Sequence, residues 1–304
     1  MACGVAPVPA AVGIVAAEST GNSCIECLST LSALSPGAPP ARLEQLVAVA
    51  YALTSPELQQ VSLPDFPLEN LHAAAGILER IPDIPTHKLA YLLYPYNTFL
   101  TKELVRNVEA VLHNLKVNTK PKCHMILAGI KYEGERALVT MDVNGQKSEF
   151  AVVTGDRKPG GFAQKVVKTA YQSELLNELL ISHSVADFCV VGPKGCGKSL
   201  LISQLASLLG YTIEPIVVYQ DMTGRELTQQ RSTLNNGDTV WRNSALVEAA
   251  LHGRMAVLDG LHRLHASTIA QLHSALVEAA LHGRMAVLDG LHRLHASTIA
   301  QLHR

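Results

Sequence analysis

The stretch GPKGCGKS at 192–199 limits the possible folds of this chain more than any other part of the sequence. It fits the pattern G-x-x-x-x-G-K-[ST] at every fixed position. The apolar run FCVV at 188–191 precedes it, and LLISQLASLLG, which has a helical pattern, follows it. A strand, a glycine-rich turn and a helix in this order are typical of a phosphate-binding loop, so we predict an α/β fold with a parallel, doubly wound sheet.

The residues of this loop have separate predicted roles. Its glycines let successive backbone N–H groups point at phosphate oxygens, and the N-terminus of the following helix faces the same anion. Lys198, the predicted catalytic residue, would neutralise the β- and γ-phosphates of ATP, and the Ser199 hydroxyl would bind Mg²⁺. The predicted nucleotide-binding residues are Gly192, Pro193, Lys194, Gly195, Cys196, Gly197, Lys198, Ser199 and Leu200. The alternative is a glycine-rich turn that binds no ligand.

A second strand, RMAVLDG at 254–260, supplies the acidic residue that a site of this class needs for magnesium. Asp259 is predicted to lie at the carboxyl end of a buried strand, where parallel α/β sheets bind ligands, and to bind Mg²⁺ together with Ser199. Alternatively, Asp259 caps a helix formed by LHRLHAS. The next residue is usually a Glu that orients the attacking water, but here it is Gly260. We therefore expect intact nucleotide binding at a site that lacks a usual residue for hydrolysis.

Changes in composition and periodicity divide the chain into sections. Residues 1–41 are rich in Ala, Pro, Ser and Gly and are expected to form a disordered or poorly specified lead-in. Residues 42–118 have helical periodicity and predict a small helical bundle. In 119–158 the period is close to two, with an Asn-Gly turn signal, which predicts a connector of antiparallel β-hairpins. Residues 162–304 would form a truncated P-loop domain.

The charge balance and hydropathy favour neither a nucleic acid nor a membrane as a partner. The formal net charge is -1, so the chain has no overall attraction to a polyanion. No apolar run approaches the ~18 residues of a membrane span. With only six cysteines, we expect a reducing compartment.

Two spacings resemble metal sites, and in both we favour an ordinary surface. Cys24 and Cys27 form a single CxxC with no second pair, which favours a surface pair over a metal or redox site. His262 and His265 lack a third ligand at helical spacing, which favours a solvated helix surface.

The chain resembles the dynein- and midasin-related branch of the AAA+ ATPases in GPKGCGKSLLISQLASLLGYTIEPIVVYQDMTGREL, QQRSTLNNGDTVWR and SALVEAALHGRMAVLDGLHR. LPDFPLENLHAAAGILERIPDIPTHKLAYLLYPYN, further upstream, is similar to the lid bundle that ends a preceding AAA+ module. Together these stretches cover most of residues 45–275 and are most similar to mitochondrial members with a C-terminal von Willebrand factor A domain.

This resemblance implies a partial AAA+ sheet within a piece of a longer ATPase. It also implies ATP and Mg²⁺ as cofactors, a protein client of unknown identity, possible AAA+ self-association and a mitochondrial location. No transit peptide is visible, and the residues alone favour the cytoplasm. Gly260 resembles a trait of the family. The sensor strand and the lid after the site are missing, so ring-assembly roles cannot be carried over.

Residues 244–273 and 274–303 are identical, 30 residues each. An unchanged copy indicates a recent duplication or a gene-model error, and the first copy follows the Trp241 hairpin as the family pattern requires. In the AAA+ order, the next strand after the one that ends in Asp259, called the Walker B strand, lies between it and the strand that precedes the phosphate loop. We therefore predict that 285–288 of the second copy fill this slot and bring Asp289 near the γ-phosphate, where its charge would weaken triphosphate binding.

These observations leave two main functions open. The first is an ATP-hydrolysing AAA+ fragment that, when complete, remodels a protein partner, as the family implies. The second, which Gly260 favours, is a non-hydrolysing interaction module that ATP stabilises. A small-molecule kinase shares the phosphate loop but needs an acceptor pocket and a basic lid, neither of which is visible. No guanine-reading N-K-x-D and no LSGGQ-like signature occur.

Overall fold

The computed structural model describes residues 4–7, 22–54, 66, 68–119, 123–160, 169–260, 263–264, 268 and 285–289. These residues form a helical bundle, a three-stranded antiparallel sheet, a five-stranded sheet with flanking helices and a two-stranded hairpin. Within this part of the chain, no helix is both long enough and apolar enough to span a membrane.

The first half of the chain forms a helical bundle around an apolar core. Prolines begin two of its helices, with Pro40 in the first turn of one and Pro85 at the N-cap of another. The Thr101 hydroxyl caps a third helix by accepting a hydrogen bond from the Leu104 N–H, 3.5 Å away. The helices are α1 Asn22–Leu34, α2 Pro40–Leu53, α3 Leu71–Arg80, α4 Thr86–Leu93, α5 Tyr96–Phe99 and α6 Lys102–Asn114, with a 3₁₀ turn at Leu68–Asn70.

The prediction that residues 1–41 form a disordered or poorly specified lead-in is wrong for two segments, 4–7 and 22–34. Helix α1 packs against the rest of the bundle, where Leu31 is only 1% exposed. The strand β1, Gly4–Pro7, pairs antiparallel with the strand that precedes the phosphate loop. Local structure forms here because α1 buries an apolar stripe and β1 hydrogen-bonds to a sheet edge.

The three-stranded sheet consists of β2 Met125–Glu133, β3 Arg136–Val143 and β4 Gln146–Val153, in that order. One face is buried because alternate residues of β3, such as Val139 and Met141, are fully enclosed. Asn144 and Gly145, both with positive φ, form the tight turn between β3 and β4. The strands and the Asn-Gly turn lie where the sequence predicted them.

Besides β1, the five-stranded sheet contains β5 Phe188–Val191, β6 Ile213–Val217, β9 Met255–Asp259 and β10 Met285–Asp289. Its order is β1-β5-β10-β9-β6, and all neighbouring pairs except β1–β5 are parallel. This arrangement confirms the predicted α/β fold and adds an antiparallel edge strand that the sequence did not predict. The helices that connect or flank the strands are α7 Ala170–His183, α8 Lys198–Leu209, α9 Gly224–Thr228 and α10 Ala245–His252.

Strand β10 comes from the second copy of the repeat and lies between β5 and β9. Met285 pairs with Met255, so the two identical strands run side by side in register. On the other side, Asp289 is the register partner of Val190. The prediction that 285–288 would fill the slot between the two motif-bearing strands is confirmed.

Candidate nucleotide-binding site

The candidate site begins where β5 ends and the chain turns into α8. Gly195 and Gly197 have φ of +83° and +91°, and α8 begins at the next residue, Lys198. A Cβ atom at either glycine would meet nothing within 4 Å. Glycine is therefore required there by backbone conformation rather than by crowding, because other L-residues are strained in the left-handed region.

The N-terminus of α8 has no side-chain cap, since its N-cap residue is Gly197. The neighbouring helices α7 and α9 instead begin with Thr169 and Thr223, whose hydroxyls accept hydrogen bonds from the first helical turn. The first amides of α8 thus remain open to an anion, and the helix dipole adds about half a positive charge there. This arrangement suits a phosphate group.

The Lys198 side chain lies over the loop in which it sits. Its Nζ donates to the carbonyl oxygens of Gly192 at 3.0 Å and Pro193 at 3.3 Å. The Cys196 N–H donates to the same Pro193 oxygen over 3.3 Å, which closes the turn. Lys198 is thus held on the inner side of the loop, and its ammonium group would exchange these carbonyl bonds for phosphate contacts.

The predicted metal ligands lie at the carboxyl end of the sheet, beyond the strands that carry the two motifs. Ser199 and Asp259 are both exposed to solvent. Strands β5 and β9 are separated only by β10, so their backbones lie about 10 Å apart. A hydroxyl and a carboxylate are suitable ligands for Mg²⁺, which retains several waters. The alternative cap role of Asp259 concerns a segment, 261–267, most of which lies outside the described residues.

The backbone conformation at Gly260 is unfavourable for a glutamate after Asp259. Gly260 is buried and has a φ of +87°. A Cβ there would lie 3.2 Å from Arg263 Nε and 3.4 Å from the Val218 carbonyl oxygen. The chain turns sharply at this point, and the Arg263 side chain occupies space into which a longer residue at 260 would extend.

A cavity of about 130 Å³ lies beside the phosphate loop. Its walls come from the loop, from α8 and from the first turns of α7, and its lining residues are Thr169, Tyr171, Gln172, Leu175, Cys196, Gly197, Lys198, Leu201 and Gln204. Cys196 is partly buried within this wall. A group attached to its sulfur would therefore lie next to Lys198 and the loop amides.

The three-stranded sheet and the segment after it hold the opposite end of α8, a contact that the sequence did not predict. The last carbonyl groups of a helix lack intrahelical partners, and here other parts of the chain supply donors. Tyr132 Oη donates to the Leu208 carbonyl oxygen at 2.8 Å. The Gly155 N–H donates to the Leu209 oxygen at 2.9 Å, the Arg157 N–H to the Gly210 oxygen at 2.8 Å, and the Gly160 N–H to the Ser207 oxygen at 3.3 Å. This end of α8 is therefore fixed by the connector.

The helical bundle is joined to α7 by an ion-pair cluster that the sequence also did not reveal. Lys88 on α4 contacts Glu178 and lies 3.1 Å from Glu174, both on α7. Burial would lower the pKa of Lys88, but attraction to Glu178 and Glu174 outweighs it and raises that pKa. The cluster fixes the helix whose first turn lines the cavity beside the phosphate loop.

The other metal-like spacings form no site in the part of the chain that is described. There, no group of three or more His, Cys, Asp or Glu residues is arranged to hold a metal ion. Cys24 and Cys27 instead pack against the bundle core, so neither belongs to an open surface pair. No disulfide occurs among the described cysteines. His262 and His265 lie outside the described residues.

Comparison with known proteins finds similarity to AAA proteins. Residues 187–282 match the AAA domain of the dynein-related subfamily. Von Willebrand factor A domain-containing protein 8 of Mus musculus is 40% identical over 243 residues, which cover 76% of this chain but only 12% of that protein. Protein NorQ of Paracoccus denitrificans and Protein CbbQ of Hydrogenophilus thermoluteolus are 29% and 32% identical over 82 residues, 27% of this chain and 30% of each relative.

Proposed function

Since residues 187–282 belong to the dynein-related subfamily of AAA domains, we propose that this chain binds Mg-ATP at the loop 192–199 and hydrolyses it. The observation that carries the proposal is the start of α8. An uncapped helix N-terminus, two left-handed glycines and an inward-held lysine converge at one turn. Backbone amides, a helix dipole and one ammonium group are the features that bind the phosphate chain of a nucleotide.

The proposed roles of the site residues follow from their positions. Lys198 would contact the β- and γ-phosphates and stabilise the charge that develops during transfer. The backbone N–H groups between Gly192 and Leu200, which Pro193 lacks, would donate to the phosphate oxygens. Ser199 and Asp259 would hold Mg²⁺, which bridges phosphate oxygens and neutralises part of their charge. The cavity lined by Tyr171 and Gln204 lies beside the loop and could receive a non-phosphate part of the ligand.

A second candidate function is ATP binding without hydrolysis, which the conformation at Gly260 favours. No carboxylate occupies the position after Asp259, and the φ of +87° disfavours any side chain there. ATP would then act only as a structural ligand. At a concentration 100 times its dissociation constant, it would add about 2.7 kcal/mol to the free energy of unfolding.

One pair of measurements on the purified chain separates the two functions. Mg-ATP should raise the melting temperature in both cases, but only the hydrolysing protein should release phosphate. Lys198→Ala should abolish both effects, whereas Lys131→Ala, at an exposed position of β2, should change neither. Phosphate release at equal rates from wild type and Lys198→Ala would indicate a contaminating enzyme. An unchanged melting temperature in the presence of millimolar Mg-ATP would refute nucleotide binding at this loop.

The proposed biological role rests on the similarity to von Willebrand factor A domain-containing protein 8. We propose that the chain is one portion of a longer AAA ATPase that acts on a protein partner, that residues 42–118 correspond to the lid of a preceding module, and that the protein resides in mitochondria. Self-association through the AAA domain belongs to the same proposal. Fractionation of cells and sizing of the purified chain with and without Mg-ATP test location and assembly separately.

A further inference from the structure

The hairpin formed by β7, Gln229–Thr233, and β8, Thr239–Asn243, projects from the domain between α9 and α10. Almost every residue from 229 to 243 is exposed. The single tryptophan of the chain, Trp241, lies in β8 and is 48% exposed. Large aromatic side chains are usually enclosed in the core, so an exposed tryptophan on a projecting hairpin points to a binding role.

Two arginines surround this tryptophan. The guanidinium carbon of Arg225 lies 4.2 Å from the centre of the Trp241 ring, which is a cation–π contact. Arg231 is the direct cross-strand partner of Trp241 and therefore lies on the same face of the hairpin. Arg242, by contrast, pairs with Gln230 on the opposite face.

Among the described residues, no carboxylate forms an ion pair with either Arg225 or Arg231. Their side chains donate hydrogen bonds to the neutral groups of Gln229 and Thr239, at 3.4 Å each. The nearby carboxylate of Glu226 accepts bonds from Thr223 instead, within the cap of α9. The face thus presents positive charge beside an apolar ring.

The hairpin is held firmly at its base, which suits a binding element. The Ser244 hydroxyl donates to the Leu227 carbonyl oxygen at 2.5 Å, and the Ser244 N–H donates to the Thr228 oxygen at 3.0 Å. Leu227 and Ser244 are both buried. An ordered hairpin loses little conformational entropy when a partner binds.

We propose that the face of the hairpin formed by Arg225, Arg231 and Trp241 binds an extended acidic segment of a partner protein. Carboxylates of the segment pair with the two guanidinium groups, and an apolar side chain covers the exposed part of the Trp241 ring. Two arginines are too few for a phosphate backbone, because proteins that bind DNA mainly through electrostatics make several phosphate contacts. This binding is independent of the nucleotide site, so it can fail or succeed whatever the ATP assays show.

The test measures binding of a fluorescein-labelled peptide of repeating Glu-Leu-Glu-Pro units by anisotropy. The emission of Trp241 provides a second readout, which is specific to this face because the chain has no other tryptophan. Arg225→Ala and Arg231→Ala should each weaken binding about tenfold, the expected loss of a charged hydrogen bond. Arg242→Ala removes the same charge from the opposite face and should leave the affinity unchanged.

The control peptides and variants make the outcomes decisive. A peptide of Gln-Leu-Gln-Pro units should not bind, and salt should weaken binding of the acidic peptide. Equal melting temperatures of all three arginine variants should show that the hairpin is intact. The proposal is overturned if the acidic peptide does not bind, if Arg242→Ala weakens it as much as Arg231→Ala, or if oligothymidylate binds more tightly than the peptide.

Discussion

Replacement of Gly260 by glutamate restores the residue that usually follows a Walker B aspartate, yet we expect it to harm this protein. The φ of +87° costs an L-residue about 1–2 kcal/mol. The new Cβ would lie 3.2 Å from Arg263 Nε, a contact that a flexible side chain can relieve. The free energy of unfolding should therefore fall by about 1–2 kcal/mol for Gly260→Ala, and by at least as much for Gly260→Glu.

Urea unfolding followed by circular dichroism measures this loss as a lower midpoint with an unchanged slope. Gly253→Ala is the matched control, because Gly253 also has a positive φ, +63°, but a Cβ there would meet nothing within 4 Å. It reports backbone strain without crowding. Combining Gly260→Ala with Arg263→Ala in a double-mutant cycle then measures the crowding itself.

Phosphate release provides the functional half of this test. If the turn at Gly260 points its side chain away from the attacking water, Gly260→Glu should not increase phosphate release. A variant that unfolds at the wild-type urea concentration and also releases phosphate faster would refute the reasoning. In that case the left-handed conformation would not be needed, and the missing glutamate alone would limit hydrolysis.

Three further changes test other parts of the structure. A Cβ on Gly155 would lie closer than 3.0 Å to the Gly210 carbonyl oxygen, so Gly155→Ala should cost on the order of 3 kcal/mol in urea unfolding, whereas Gly160→Ala should cost little. N-ethylmaleimide should abolish the ATP-induced rise in melting temperature of the wild type but not of Cys196→Ser, because only the former gains an adduct in the loop. Burial lowers the pKa of His183 to about 4, so the unfolded state binds a proton at this residue more readily than the folded state. As the pH falls from 6.5 to 4, the free energy of unfolding should therefore decrease by at most about 1.4 kcal/mol per pH unit. His183→Gln should reduce that slope.

Short-range sequence patterns were sufficient to predict the secondary structure at the centre of the site. Glycine at 195 and 197, an apolar run before them and a helical pattern after them specify the strand, loop and helix without knowledge of distant contacts. The strand ending at Asp259 was predictable for the same reason, since a short apolar run ends in an acidic residue. Whether these residues bind nucleotide and metal remains a prediction.

The sequence was less informative where cysteine acts as an apolar residue. Cys24, Cys27, Leu28 and Leu31 recur at spacings of three, one and three, which place them on one face of α1. The CxxC spacing predicted a surface pair, whereas Cys24 and Cys27 pack against the core, because cysteine behaves as a small hydrophobic residue. Burial also raises the pKa of the Cys27 thiol.

Contacts between distant segments could not be predicted from one sequence. Gly4–Pro7 pairs with β5, and Gly155 packs against the backbone of Gly210. Each glycine is visible in the sequence, but nothing local shows which other segment approaches it. The Lys88 cluster is similar, because an isolated lysine on an amphipathic helix usually faces solvent.

The position of β10 shows why a parallel sheet accepts a duplicated strand. Without β10, the facing edges of β5 and β9 would each leave a row of unpaired N–H and C=O groups in the middle of the sheet. A central parallel strand needs a short, nearly continuous apolar run, and the second copy supplies MAVLD, the same run that forms β9. The backbone pairing therefore selects the pattern and the parallel direction of the strand rather than its origin, and the second copy meets both requirements.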